Sequence, residues 1–287
     1  MHIPVLLEKT IMWLAPSPNK DFIDATLGEG GHAQEILKQT APKGRLLGFD
    51  YDRQTLEKTS QALKIYGPRV KLVCDNFANI EQVAHDANFT KVDGILMDLG
   101  FSSVQLESGF GLSFQKDEPL DMRINPILNP ISAADIINRW PKNKLEEIFK
   151  KYGNESKAEK IAGAICERRR QEKIRRSSQL AQIIGAIIPT KHGRHPATKV
   201  FQALRIVVNS ELENLDMVLP QAVSLLKKGG RLAIISFHSG EDRIVKNFFR
   251  QADKLEILTK KPIQPTYAEI RNNPRSRSGK LRVAEKK

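Results

Sequence analysis

Four aspartates recur at a spacing of about 25 residues, and each closes an apolar run: Asp24 in "DFIDATL", Asp50 in "RLLGFD", Asp75 in "VKLVCD" and Asp98 in "VDGILMDLG". The first runs directly into "LGEGGHA", where Gly28, Gly30 and Gly31 mark a place at which backbone must come close to something. Gly28, Gly30 and Ala33 satisfy G-x-G-x-x-G/A, and Asp50 lies 22 residues after Gly28. A carboxylate at that distance can accept both ribose hydroxyls of an adenosine, which serves NAD and S-adenosylmethionine (SAM) alike. Asp24 favours SAM. An acidic group beside the loop repels a pyrophosphate but suits a cationic sulfonium and amino group. Phe77, in "DNF", either lies on an adenine ring or fills the core. Asp98 stands where a methyl donor would point, or caps the turn that follows it.

The elements that must position these residues are legible from periodicity. Helical patterns separate the apolar runs: Ala33, Ile36 and Leu37 share one face, as do Ile80, Val83, Ala84 and Ala87. Strand–helix alternation at this spacing predicts βαβ units and a parallel sheet, with ligands outside the carboxyl ends of the strands. The alternation stops after Asp98. Residues 104–130 are rich in Gly, Pro and Asn, and an all-helical stretch follows, in which Asn143 and Glu146 are spaced as a capping box. Near residue 198 a long helical pattern resumes, and "GGRLAIISFHS", "LEILT" and "GKLRVA" read as further strands. The expected architecture is an α/β, doubly wound, mostly parallel sheet formed by residues 1–105 and 196–287, interrupted by an all-helical insertion over 106–195.

The 287 residues carry a net charge of +13, which points to a polyanionic partner, nucleic acid before anionic lipid. "ERRRQEKIRR" at 167–176 holds six basic residues in ten, and the tail from Arg271 to Lys287 holds seven against one acidic. Both runs are candidates for phosphate contact. Cys74 and Cys166 are the only cysteines, so a disulfide scaffold or four-ligand zinc site is not expected and a reducing compartment is. The N-terminus has no charged leader, and no apolar stretch approaches the roughly 20 residues of a membrane span. A cytoplasmic, membrane-free protein is expected.

Several of these stretches resemble the bacterial ribosomal RNA small-subunit (cytosine-N4) methyltransferases of the RsmH/MraW type: "HIPVLL", "DATLGEGGHA", "GFDYD", "DGILMDLGFSSVQL", "PLDMR", "HPATKVFQALRIVVNSEL", "GGRLAIISFHSGEDRIVK" and "NPRSRSGKLR". They run from end to end of the chain. The resemblance implies a Rossmann-like SAM-dependent methyltransferase core in which the helical insertion recognises substrate. It implies methyl transfer to N4 of one cytidine in the decoding region of 16S rRNA, with the small ribosomal subunit as partner. It also implies SAM contacts at Gly30, Gly31, His32, Asp50, Phe77, Asp98 and Gln105. Gly240 stands where the family usually has leucine, and Gly279 where it has alanine.

The chemistry so implied is an in-line displacement in which a neutral nitrogen attacks an already activated methyl, so no metal is required and placement is the enzyme's main contribution. Cytosine N4 is a poor nucleophile because its lone pair is delocalised. An acceptor for the amino hydrogens can orient that lone pair and offset the charge that develops. Asp98 is the first candidate; His238 and Asp242 in "SFHSGEDR", and Asp121 and Arg123 in "PLDMR", are the others. Two competing readings share parts of this pattern. An NAD-dependent oxidoreductase with a helical substrate domain explains the loop but not the charge or Asp24, and a non-catalytic RNA-binding or assembly protein would keep the fold without turnover. The oligomeric state, monomer or dimer, is left open.

Overall fold

The computed structural model describes residues 3–100, 109–114, 116–127, 129–189 and 195–287. The chain divides into two compact units, one of residues 1–102 and 212–287, the other of 103–211.

The first unit is built on strands β1 (Phe22–Asp24), β2 (Leu46–Asp50), β3 (Val70–Cys74), β4 (Val92–Asp98), β5 (Leu226–Ser236), β6 (Leu255–Ile257) and β7 (Lys280–Lys286). They form one sheet in the order β3-β2-β1-β4-β5-β7-β6. The first five are parallel, and β7 runs antiparallel between β5 and β6. β1 and β2 are buried along their whole length, which is why they read as continuous apolar runs rather than as alternation. Successive residues nevertheless face opposite ways. Ile23, Leu47, Ile95 and Ile234 enter a core shared with helices α4 (Ile80–Asp86), α10 (Glu211–Leu225) and α11 (Ser239–Gln251). Phe22, Leu46, Leu96 and Ile235 enter a second core with α1 (Leu7–Leu14), α2 (Gly31–Gln39) and α3 (Arg53–Leu63). Helices thus cover both faces, the doubly wound arrangement expected. The helical faces predicted from periodicity are the buried ones: Ala33, Ile36 and Leu37 on α2, and Ile80 and Ala84 on α4.

The second unit is helical: α5 (Ala133–Arg139), α6 (Lys142–Lys151), α7 (Ala158–Gln171), α8 (Ser177–Ile187) and α9 (Thr198–Val208). Its own core joins Ile136, Leu145, Phe149, Ile161, Leu180 and Leu204. The division expected at 105/106 and 195/196 falls at 102/103 and 211/212. Helix α9 explains the larger shift, because Val200, Phe201, Ala203, Leu204 and Val208 all pack into the insertion's core. The periodic pattern runs on from α9 into α10, but Ser210 takes a left-handed conformation (φ 49°) and breaks it there. The capping box read at Asn143 and Glu146 does not form. α6 starts two residues earlier, behind Pro141, and the capping box of this region is Ser132 with Asp135 on α5.

Candidate active site

All four strand-end aspartates lie at the carboxyl edge of the first unit's sheet. The backbone links them. Beyond β1, the Ala25 N–H donates to Leu96 O and the Leu27 N–H to Phe49 O at 2.7 Å, so the chain leaving β1 stays bonded to the ends of β4 and β2. The Asp98 N–H donates to Thr26 Oγ1 at 2.5 Å. Gly28 and Gly30 then turn the chain with φ of 51° and 76°, conformations that glycine adopts without steric cost. The loop is packed from two sides. A Cβ on Gly30 would lie 2.8 Å from Thr59 Cγ2 on α3, and one on Gly31 would lie 2.2 Å from Pro4 Cγ in the N-terminal segment.

Asp50 ties the loop to β2. Its Oδ2 accepts the Gly28 N–H at 2.9 Å and its Oδ1 the Asp52 N–H at 2.8 Å. The Tyr51 N–H acts on the same carboxylate, so of its four acceptor positions one remains for a ribose hydroxyl. Burial pushes the Asp50 carboxyl up to about 6, against the pull of its backbone donors. Asp24 is 1% exposed and accepts the Thr26 N–H at 3.2 Å. Burial, joined by the charges of Asp98 and Asp50, pushes it up to about 7. Three carboxyls held near 6–7 at one edge are ionised only in part on their own, and a cationic ligand, unlike a pyrophosphate, would be favoured by their ionised forms.

Asp98 extends two residues beyond Asp24 along the sheet, since Asp24 pairs with Leu96. Burial, with the charge of Glu241 added, pushes its carboxyl up to about 7. Its Oδ2 lies 3.9 Å from His32 Nδ1 on α2. Its Oδ1 is shut off from water and accepts no hydrogen bond among the described residues. An enclosed acceptor without a donor is costly, and substrate can supply the donor. Gly100 lies so close to Phe237 that a Cβ there would sit 2.7 Å from the ring.

The segment after β5 holds the remaining candidates. His238 is the N-cap of α11, and its Nδ1 accepts the Gly240 and Glu241 N–H groups at 3.1 and 3.4 Å. That fixes the proton on Nε2, which lies 3.2 Å from Glu241 Oε1, off the hydrogen-bond direction. Glu241 Oε2 returns to the Phe237 and His238 N–H groups at 2.7 and 3.2 Å. His238 therefore shapes the site through the helix it caps. Asp242 turns to strand β7, where Arg282 Nε is 2.7 Å from its Oδ1. Glu241, 3% exposed and acting on Asp98, is the residue that sequence reasoning missed. Its signal was present as a reciprocal capping box with histidine in place of serine.

Phe77 opens the short helical turn Phe77–Asn79 after β3 and packs, half-buried, against the sheet's first core. Asp75 serves that turn by accepting the Asn76 N–H at 2.6 Å. Asp121 and Arg123 hold each other at 2.6 Å in the second unit. Gln105 lies outside the described residues.

The basic runs divide by role. Within 167–176, Arg169 turns inward and donates to the Ile137 and Trp140 carbonyls at 2.7 Å, closing the end of α5. Arg168 and Arg170 are exposed, as are Lys173, Arg175 and Arg176, and the last three help line a cavity of about 590 Å³ with Pro119 and Gln179. In the tail, Arg282 is buried against Asp242, and Lys286 Nζ donates to the Val223 and Leu226 carbonyls at the end of α10. Arg271, Arg275 and Arg277 remain exposed. Both cysteines are free, and no helix among the described residues is long and apolar enough to cross a membrane.

Known proteins place this arrangement. Among solved structures, a protein from Clostridium thermocellum described as an rRNA methylase candidate superposes over 100% of both chains with a TM-score of 0.51 at 14% identity. A methyltransferase candidate from Streptococcus mutans, solved in complex with SAH, gives 0.50 at 15% identity, again over 100% of both chains. These likenesses concern the fold. Curated relatives named ribosomal RNA small subunit methyltransferase H are far closer in sequence: the Persephonella marina protein is 45% identical over 99% of both chains, and that of Desulfotalea psychrophila 44% identical over 100% of this chain and 98% of its own. The model of the MraW methylase family matches residues 1–287 from end to end, so the chain belongs to that family and is a SAM-dependent methyltransferase.

Proposed function

We propose that this protein methylates N4 of one cytidine in the decoding region of 16S rRNA, taking its methyl group from SAM. The observation that carries the reading is Asp98 Oδ1, enclosed and without a donor among the described residues. An exocyclic amine supplies the missing hydrogen. In the reaction the Asp98 carboxylate orients the amine and offsets the positive charge that grows on nitrogen. A carboxyl held near 7 is also a competent acceptor for the proton that the amine releases, because its affinity for protons matches the working pH. The rRNA assignment is supported by the names of the relatives and by the net charge of +13.

The residues suited to hold the cofactor are Gly30, Gly31 and His32 at the loop, Asp50 for the ribose, Asp24 for the cationic end and Phe77 for the adenine. Bound there, SAM supplies an activated methyl. Phe77 needs only its exposed face for this, so its packing in the core and a contact with adenine are compatible. The exposed cations of the helical unit, Arg170, Lys173 and Arg175, together with Arg168 if it exchanges Glu172 for a phosphate, are suited to that contact.

The test is transfer of labelled methyl from SAM to 16S rRNA and to assembled small subunits, followed by nuclease digestion and mass spectrometry. N4-methylcytidine at a single decoding-region position is expected. Label in another base, or on the cytosine ring carbon, would refute the assignment.

A further inference from the structure

We propose that residues 264–279 of the first unit form a docking surface for single-stranded RNA beside the cofactor loop, in which Tyr267 stacks on a base and Arg271 and Arg277 hold phosphates. The proposal rests on the RNA-methylation reading above and assigns a surface to it.

The topology puts this segment at the ligand edge. β7 runs antiparallel to β5 and begins where β5 ends, with Lys280 opposite Ser236. The chain returning from β6 pairs Ile263 with Leu281, so everything between them projects past the carboxyl ends of the parallel strands. That excursion holds helix α12 (Tyr267–Asn272) and the short helical turn Pro274–Ser278. It is also bound to the N-terminal segment. Glu269 Oε1 accepts the Leu6 N–H at 2.7 Å, Asn273 Nδ2 donates to Ile3 O at 2.9 Å, and a Cβ on Gly279 would meet Val5 Cγ1 at 2.9 Å. The same N-terminal segment sets Pro4 against Gly31 of the cofactor loop. A ligand on residues 264–279 is therefore held next to the glycine turn.

The composition of the exposed face identifies the ligand. Tyr267 is 84% exposed, so its ring is open to solvent. Arg271 is one helical turn further on and shares its face. Arg275 and Arg277 are exposed on the adjoining turn. Glu269, the only acidic residue in 264–279, is turned to Leu6, so it does not cancel the positive face. Neither Arg271 nor Arg277 has an ion-pair partner among the described residues. An exposed aromatic ring flanked by cations is the arrangement that takes an unpaired base and its phosphates. A duplex would offer phosphates but no base face to Tyr267, and an acidic peptide would leave the ring unused.

The experiment measures binding of a single-stranded 16S rRNA oligonucleotide spanning the target cytidine, and of assembled small subunits, over a range of salt concentrations. SAM binding and thermal midpoints serve as controls for folding. Arg271→Gln with Arg277→Gln is expected to reduce the log–log salt slope for the oligonucleotide by about 1.4, since each single-strand phosphate contact contributes roughly 0.7. Tyr267→Ala is expected to weaken binding about five- to a hundredfold with the slope unchanged, and Tyr267→Phe to restore it, because stacking needs the ring and not the hydroxyl. SAM affinity stays at the wild-type value in all three. Wild-type RNA binding and slope in the variants would overturn the surface while leaving the methylation reading intact. Loss of binding to assembled subunits with oligonucleotide binding unchanged would assign the surface to a ribosomal protein and overturn it as well. A wild-type protein that transfers no methyl to rRNA would overturn both readings together.

Discussion

Replacing Asp24 by asparagine separates what the site costs the fold from what it gives the cofactor. Asp24 is 1% exposed and its carboxyl is raised from 3.8 to about 7 by burial first, then by the charges of Asp98 and Asp50. A shift of roughly three pKa units corresponds to about 4 kcal/mol against the ionised form. Part of that is repulsion from two neighbours that ionise over the same range, so about 2 kcal/mol is expected for Asp24 alone. The folded pKa lies above the unfolded one. The contribution to stability is therefore complete below about pH 4 and is lost as pH rises towards 7. Asparagine keeps the acceptor for the Thr26 N–H and cannot ionise. Without cofactor, Asp24→Asn should match the wild type near pH 4 and melt about 4–8 °C higher at pH 8, at roughly 2–4 °C per kcal/mol for a chain of this size. Binding should move the other way. SAM carries a sulfonium charge and SAH does not, so Asp24→Asn should weaken SAM more than SAH. The assay is thermal melting between pH 4 and 8, with and without each ligand, backed by calorimetry. A variant no more stable than wild type at pH 8, or one that loses SAM and SAH equally, would refute the charge argument for Asp24.

Three further outcomes are expected. Asp98→Asn retains a carbonyl oxygen but not the charge, and single-turnover methyl transfer at saturating SAM and RNA should fall about a hundred- to a thousandfold; a wild-type rate would leave Asp98 as a capping residue. Asp50→Ala removes the ribose acceptor and the anchor of the Gly28 N–H together, so SAM affinity measured by calorimetry should fall by about ten- to a hundredfold. Arg168→Gln with Arg170→Gln should lower the salt slope of RNA binding by about 0.7–0.9 per lost contact with SAM affinity unchanged. Arg169→Gln, which frees the carbonyls at the end of α5, should instead lower the melting temperature and leave that slope alone.

The parallel part of the fold was legible because its signals are local and redundant. β1, β2, β4 and β5 are buried apolar runs, and three of the four predicted strand ends coincide with their aspartates. β3 ends at Cys74, because Asp75 is taken by the turn that follows. The domain division was legible only approximately. α9 and α10 carry one continuous apolar periodicity, and a single left-handed residue, Ser210, interrupts it. Serine is an ordinary helix residue, so nothing in its type announces that break. The order of the last strands was also out of reach, since "GKLRVA" has the same pattern whether it lies parallel at an edge or antiparallel between β5 and β6.

The site shows where residue type stops being informative. A carboxylate at a strand end, a histidine in a loop and an arginine in a basic run each have a structural and a functional use, and only the partner decides between them. Asp242 and Asp98 are both enclosed acids near the carboxyl edge. Arg282 neutralises the first, whereas the second has only His32 Nδ1 beside it, 3.9 Å from its Oδ2. His238 has its Nδ1 committed to two backbone donors, which leaves the imidazole no lone pair with which to act as a base. The same logic divides the charge. Arg169, Arg282 and Lys286 are used on carbonyls and carboxylates within the fold, Arg168 is exposed but paired with Glu172 at 3.0 Å, and Arg170, Arg271 and Arg277 face solvent. A net charge of +13 therefore overstates the surface available to a polyanion, and the exposed, unpaired cations set the salt dependence that RNA binding can show.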